Sequence, residues 1–121
     1  YTVSMGLFLP TPVENDQVTS LVERKLKWIL SVCSPAEVWL FGSAASGAMT
    51  EASDVDLALI FRTTAQIREA QARLARTPRF DEWPQDLVWY LAEDFYARTK
   101  VGGLPMIILE EGRQLHPGGR P

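Results

Sequence analysis

Apolar positions recur along this chain with two different periods. Val18, Leu21, Val22, Leu26, Ile29 and Leu30 repeat at the three- and four-residue spacing of one helix face. Asn15 or Asp16 can cap that helix, which is predicted to run to about Val32 and to end at Ser34-Pro35. Glu23, Arg24, Lys25 and Lys27 fall mostly off the stripe and read as solvated. Ahead of it, Pro10 and Pro12 block helix, so residues 1–13 read as an arm. Val38 to Phe41 is a short apolar strand, followed by small residues from Ser43 to Ala48. Asp54 to Phe61 then alternates with the period of a strand. Val55, Leu57, Leu59 and Phe61 make one apolar face; Asp54 and Asp56, then Ala58 and Ile60, make the other. A strand apolar on both faces beyond its mouth belongs in the middle of a sheet.

Thr63 with Gln66 reads as a capping box for a helix to about Ala75, which carries Arg68, Arg73 and, just beyond, Arg76. Thr77 to Pro84 is a loop. Gln85 to Leu91 is a third strand, with Asp86, Val88 and Tyr90 on one face. Glu93 to about Lys100 and Pro105 to Glu111 are short helical segments, separated by Gly102-Gly103 and stopped by Gly112. The expected organisation is one domain over residues 14–116, a tail over 117–121 and an α/β fold.

Composition narrows the function classes. The 121 residues are 46% hydrophobic and 22% charged, which suits one domain with one core. A net charge of −3 argues against a broad nucleic-acid surface. No apolar run reaches the ~18 residues of a membrane span. The first twelve residues lack the basic start of a signal peptide. The single Cys33 excludes an internal disulfide, fits a reducing cytoplasm and, at the end of an apolar helix, reads as buried. His116 has no Cys or His at ligand spacing and reads as a surface residue.

The chemistry concentrates between residues 38 and 56. Asp54 and Asp56 sit two apart on a strand and point the same way. Adjacent carboxylates repel, so the pair calls for a cation. Hard oxygens suit Mg²⁺, which takes one or two carboxylates plus phosphate oxygens and water. Upstream, the Gly42-Ser43 turn offers N–H groups and a hydroxyl to phosphate. Asp86 opens a second apolar strand as Asp54 opens the first, and is the best third carboxylate; Asp81, in a loop, and Asp94, on a helix, are weaker candidates. Two metal ions about 4 Å apart, held by such a set, can clamp the attacking and leaving oxygens of a phosphoryl or nucleotidyl transfer. Alone, Gly42-Ser43 would read as an ordinary turn; for Asp54 a turn residue and for Asp86 a loop-ending residue are the lesser alternatives to a metal role. Trp83 reads as a loop anchor, with base stacking as the alternative.

Taken together, the strand, Gly42-Ser43, Gly47 and Ser53-Asp54-Val55-Asp56 resemble the signature of the DNA polymerase β-type nucleotidyltransferase superfamily. The resemblance covers roughly Val22 to His116. Its shortness makes the chain similar to the minimal nucleotidyltransferases of HEPN–MNT toxin–antitoxin pairs. The resemblance implies a small mixed sheet of three or four strands packed with helices. It implies a catalytic, metal-binding set of Asp54, Asp56 and Asp86, and nucleotide contacts from Gly42, Ser43 and Ser53. It also implies Mg²⁺-dependent transfer of a nucleoside monophosphate, AMP from ATP, to an acceptor hydroxyl such as a tyrosine of a HEPN partner. A partner or a second copy of the chain is expected to supply the acceptor surface. The chain departs from the pattern at Ala44 and Ser46, where many relatives carry arginines. Arg62 and the arginines of the Arg68–Arg76 segment read first as a solvated helix face, with compensation for the missing turn cations as the alternative. The departure keeps a second reading open: a binding module that neutralises its partner by contact alone. A third is transfer to a small molecule.

Overall fold

The structure, a computed structural model, describes residues 9–118. Its elements are α1 (Asn15–Val32), β1 (Glu37–Phe41), α2 (Ser43–Ser46), β2 (Val55–Phe61), α3 (Thr64–Arg76), β3 (Gln85–Leu91), α4 (Ala92–Arg98), α5 (Leu104–Glu111) and β4 (Arg113–His116). The strands form one sheet in the order β3-β2-β1-β4. β1 is antiparallel to β2 and to β4, whereas β2 and β3 are parallel. A parallel pair needs a crossover, and α3 supplies it. The α/β fold and the central place of the second strand follow the sequence pattern.

Alternation along β2 divides the core in two. Val55, Leu57, Leu59 and Phe61 pack with Val38 and Leu40 against Val18, Leu21, Val22 and Ile29 of α1 and Ala70 and Leu74 of α3. Ala58 and Ile60 join Trp39 on the other face, under Phe95 of α4 and Ile108 of α5. Burying a side chain of this size contributes roughly 1.5–3 kcal/mol, so each layer is held by its few fully buried residues. Asp56 lies on the second face, at the edge of that apolar layer.

Several local expectations change. Helix α1 is capped by Glu14, without a side-chain hydrogen bond, and Asn15 and Asp16 lie inside its first turn. Leu30 of the predicted stripe is 36% exposed, because the helix turns Lys25 inward instead. Thr63 caps α3 by accepting from Gln66 N at 3.1 Å, while Gln66 Oε1 accepts from Arg62 N, one residue before the expected capping-box partner. β4 was not expected as a strand. Its residues show no apolar alternation, but they pair with the edge of β1 that β2 leaves open, and His116 is half-buried opposite Val38. Gly112 makes that return turn feasible: a Cβ there would stand 2.8 Å from the Leu40 carbonyl oxygen.

Pro12 of the predicted arm pairs with Thr50, flanked by Val13 N to Met49 O at 3.0 Å and Glu51 N to Thr11 O at 2.9 Å. The rest of the arm, residues 1–8, and residues 119–121 of the tail lie outside the described residues. Among those described, no helix is long and apolar enough to cross a membrane.

Candidate active site

The parallel register of β2 and β3 puts Asp56 directly beside Asp86. Their Cα atoms are therefore roughly 5 Å apart, with side chains on the same face. Asp54 lies exposed just ahead of β2. On the other flank, Asp56 is paired with Phe41, so the turn that follows β1 runs past the same carboxylate. Gly42 forms that turn with φ of 73°. A side chain at Gly42 would collide with Asp56 Oδ2 and stand 3.1 Å from its Cγ. The glycine is thus needed twice: for the left-handed backbone and for the close approach. The Gly42 carbonyl accepts from Ala45 N and Ser46 N, both at 3.1 Å, which closes the turn into α2. The N–H groups that open a helix have no partner within it.

Burial pushes the Asp56 carboxyl above the usual carboxylate range, and the nearby Asp86 and Asp54 push it further in the same direction. The ion pairs among the described residues, Lys25–Asp81 and Arg73–Glu69, involve none of the three carboxylates. Crowded hard oxygens without a protein cation fit a divalent ion such as Mg²⁺. The fit concerns donor chemistry: among the described residues, no three acidic, histidine or cysteine side chains already stand in a common ligand arrangement. Asp56 and Asp86 are register neighbours, and Asp54 is the outlying member.

Ser53 is engaged locally. Its hydroxyl accepts from Thr50 N at 3.0 Å and lies 3.3 Å from the Thr50 hydroxyl, while Ser53 N donates to Thr50 O at 2.9 Å. This turn delivers the chain into Asp54. Trp83 acts as an anchor: its Nε1 donates to the Ser53 carbonyl at 2.9 Å. Asp94 is exposed on α4. Asp81 is occupied by an ion pair with Lys25 at 3.1 Å.

That partner corrects the reading of Lys25 as solvated. Lys25 is fully buried, and its Nζ donates to Asp81 Oδ1, to the Trp83 carbonyl and to Gln85 Oε1. The signal was in the sequence: Lys25 stands four residues from both Leu21 and Ile29, in line with the apolar stripe.

The arginine positions also sort themselves. Ala44 is buried in the core, so of the two positions at which the sequence resemblance implies arginine only Ser46 is exposed. Arg62 follows the far end of β2, roughly 20 Å along the strand from Asp56. Arg73 pairs with Glu69 and lines a hollow with Cys33 and Phe61, also at the far end. These do not replace the turn cations. Cys33 is buried, and that burial pushes its thiol up, away from the thiolate form. A hollow of about 520 Å³ lies between the arm, α1 and Trp83; none of the three carboxylates lines it.

Comparison with known proteins bears on the family and the fold. The family model for a nucleotidyltransferase domain matches residues 20–115. No curated protein matches the sequence. Among solved structures, a Sulfolobus solfataricus protein provisionally described as a nucleotidyltransferase superposes with a TM-score of 0.56 at 16% identity, over 88% of each chain. At that identity the likeness speaks for the fold alone.

Proposed function

This chain belongs to the nucleotidyltransferase-domain family, and from that membership we propose that it moves AMP from ATP to an acceptor hydroxyl at the mouth of β2 and β3. The observation that carries the proposal is the side-by-side register of Asp56 and Asp86, with the Gly42 backbone against the Asp56 carboxylate. In this reading Asp54, Asp56 and Asp86 hold Mg²⁺. The bound ion would supply charge neutralisation for the phosphates, in a two-metal arrangement if both ions are recruited.

The chain's own residues do the rest. Gly42 lets the turn backbone approach, so that Ser43 and the first N–H groups of α2 meet the phosphates. Ser53, whose hydroxyl holds the turn, serves the nucleotide site by fixing Asp54. Asp86 takes the proton of the acceptor hydroxyl. That oxygen bonds to the α-phosphorus, the bond to the β-phosphate oxygen breaks, and pyrophosphate leaves. The acceptor surface comes from a partner or a second copy of the chain, a HEPN-type tyrosine being the acceptor suggested by the sequence resemblance. A reducing cytoplasm suits the buried free thiol of Cys33.

The test is transfer of label from α-labelled ATP to a candidate HEPN acceptor with Mg²⁺ present, against an Asp56→Asn control. Label transfer by the wild type alone supports the proposal; equal labelling by both proteins removes it. One observation favours a second reading, a module that binds its partner without catalysis: the turn offers Ala44 and Ser46 where relatives offer cations. Partner binding without any ATP binding would select that reading.

A further inference from the structure

Three oxygens of one short segment converge on one buried ammonium group. Lys25 Nζ donates to Asp81 Oδ1 at 3.1 Å, to the Trp83 carbonyl at 3.0 Å and to Gln85 Oε1 at 3.0 Å. An ammonium has three protons, so its donors are all used. All three acceptors lie in the segment that leads into Asp86. Asp81 Oδ1 also accepts from Trp83 N at 2.9 Å, which folds the segment around the lysine. The same segment is tied to the strand carrying the other carboxylates. Trp83 Nε1 donates to the Ser53 carbonyl, and Val55 N donates to the Pro84 carbonyl at 3.0 Å. Among the described residues β3 is an edge strand with β2 as its single strand neighbour, none of its residues is fully buried, and Asp86 near its start is exposed. Its first residues therefore need a pin from outside the sheet.

We propose that Lys25 is a positioning residue: by gathering Asp81, Trp83 and Gln85 on its ammonium, it fixes Asp86 beside Asp56. The proposal rests on the reading of Asp86 as a site carboxylate. Stability alone does not explain the choice of lysine. Buried ion pairs can often be replaced by apolar residues without loss of stability. An apolar residue fills the space but cannot orient three oxygens. Misplacement of a reacting group by about 1 Å can cost about 100-fold in rate.

The experiment compares wild type with Lys25→Met, and with Lys25→Met combined with Asp81→Asn, which removes the stranded buried charge. Amide hydrogen exchange is followed over residues 83–87 and over β1, together with melting temperature and transfer kinetics. Lys25→Met is expected to lose protection over 83–87 and keep it in β1. Its kcat is expected to fall about 100-fold with little change in KM for ATP. The double variant is expected to recover melting temperature but not kcat. Recovery of kcat along with melting temperature, unchanged exchange over 83–87, or uniform loss of protection across the sheet each overturns the proposal. If Lys25→Met does not fold, Gln85→Leu decides the matter: local loss of protection over 83–87 supports the proposal and wild-type exchange overturns it. A wild type that transfers nothing to any acceptor overturns the functional reading, and the exchange pattern still decides the role of Lys25.

Discussion

Gly42 and Asp56 lie in direct contact, backbone against carboxylate, although fourteen positions separate them. The contact joins the turn after β1 to the mouth of β2. It turns a glycine and an aspartate that look like separate sequence features into one piece of geometry. The substitutions below probe that geometry from different sides.

Gly42→Ala is expected to be disproportionately harmful for one methyl group. The backbone φ of 73° disfavours any other residue, and the added carbon collides with Asp56. Backbone strain of this kind costs on the order of 1–3 kcal/mol. A lower denaturation midpoint together with loss of transfer is the expected result. Ala at 42 with wild-type stability and activity would break the link between turn and carboxylate.

Asp56→Asn is expected to reduce transfer to background while leaving the fold slightly more stable near neutral pH. The Asp56 carboxyl is raised in the folded protein by burial, then by Asp86 and Asp54. An acid with a raised folded-state pKa is harder to ionise folded than unfolded. Its cost is absent below the unfolded pKa of about 4, develops as pH rises toward the folded value and is complete above it. The gain from the asparagine, on the order of 0.5 kcal/mol, should therefore appear near neutrality and vanish in acid. Paired thermal melts at the two pH values check the sign; a gain that persists in acid contradicts this origin.

Asp86→Asn and Asp94→Asn should part company. Asp86 stands in register with Asp56, whereas Asp94 is exposed on α4. Steady-state transfer assays should find the first inactive and the second within about twofold of wild type. Equal activity of both would remove Asp86 from the site.

Removal of divalent metal should abolish ATP binding. The turn has no arginine, and three carboxylates face the phosphates if no cation intervenes. Calorimetric titration with Mg²⁺, and again with chelator, is the measurement. Modest binding that disappears on chelation is expected. Binding that survives chelation would point to a basic pocket elsewhere in the molecule.

Much of this protein was legible in its residues, because local periodicity is a local property. The alternation from Val55 to Phe61 determined a strand buried on both faces, and the structure makes it central. Thr63 and Gln66 determined the start of α3, since a capping pair spans three residues. The spacing of Asp54 and Asp56 marks the mouth of that strand, although β2 itself starts at Val55 and leaves Asp54 just ahead of it. What the residues could not determine was everything that depends on partners distant in the chain. The strand at Arg113–His116 has no apolar signature; it exists because β1 offers an open edge. Lys25 was read from its charge, yet its three oxygen partners lie 56 to 60 positions away and make burial affordable. Whether Arg62 or Arg73 reaches the phosphates is not written in local sequence; the length of β2 puts Arg62, and a hollow shared with Phe61 puts Arg73, at the opposite end of the sheet. The register that sets Asp86 beside Asp56 was likewise decided by tertiary structure. Two parallel strands joined by a helix can in principle slide past each other, and only packing on both faces selects one alignment.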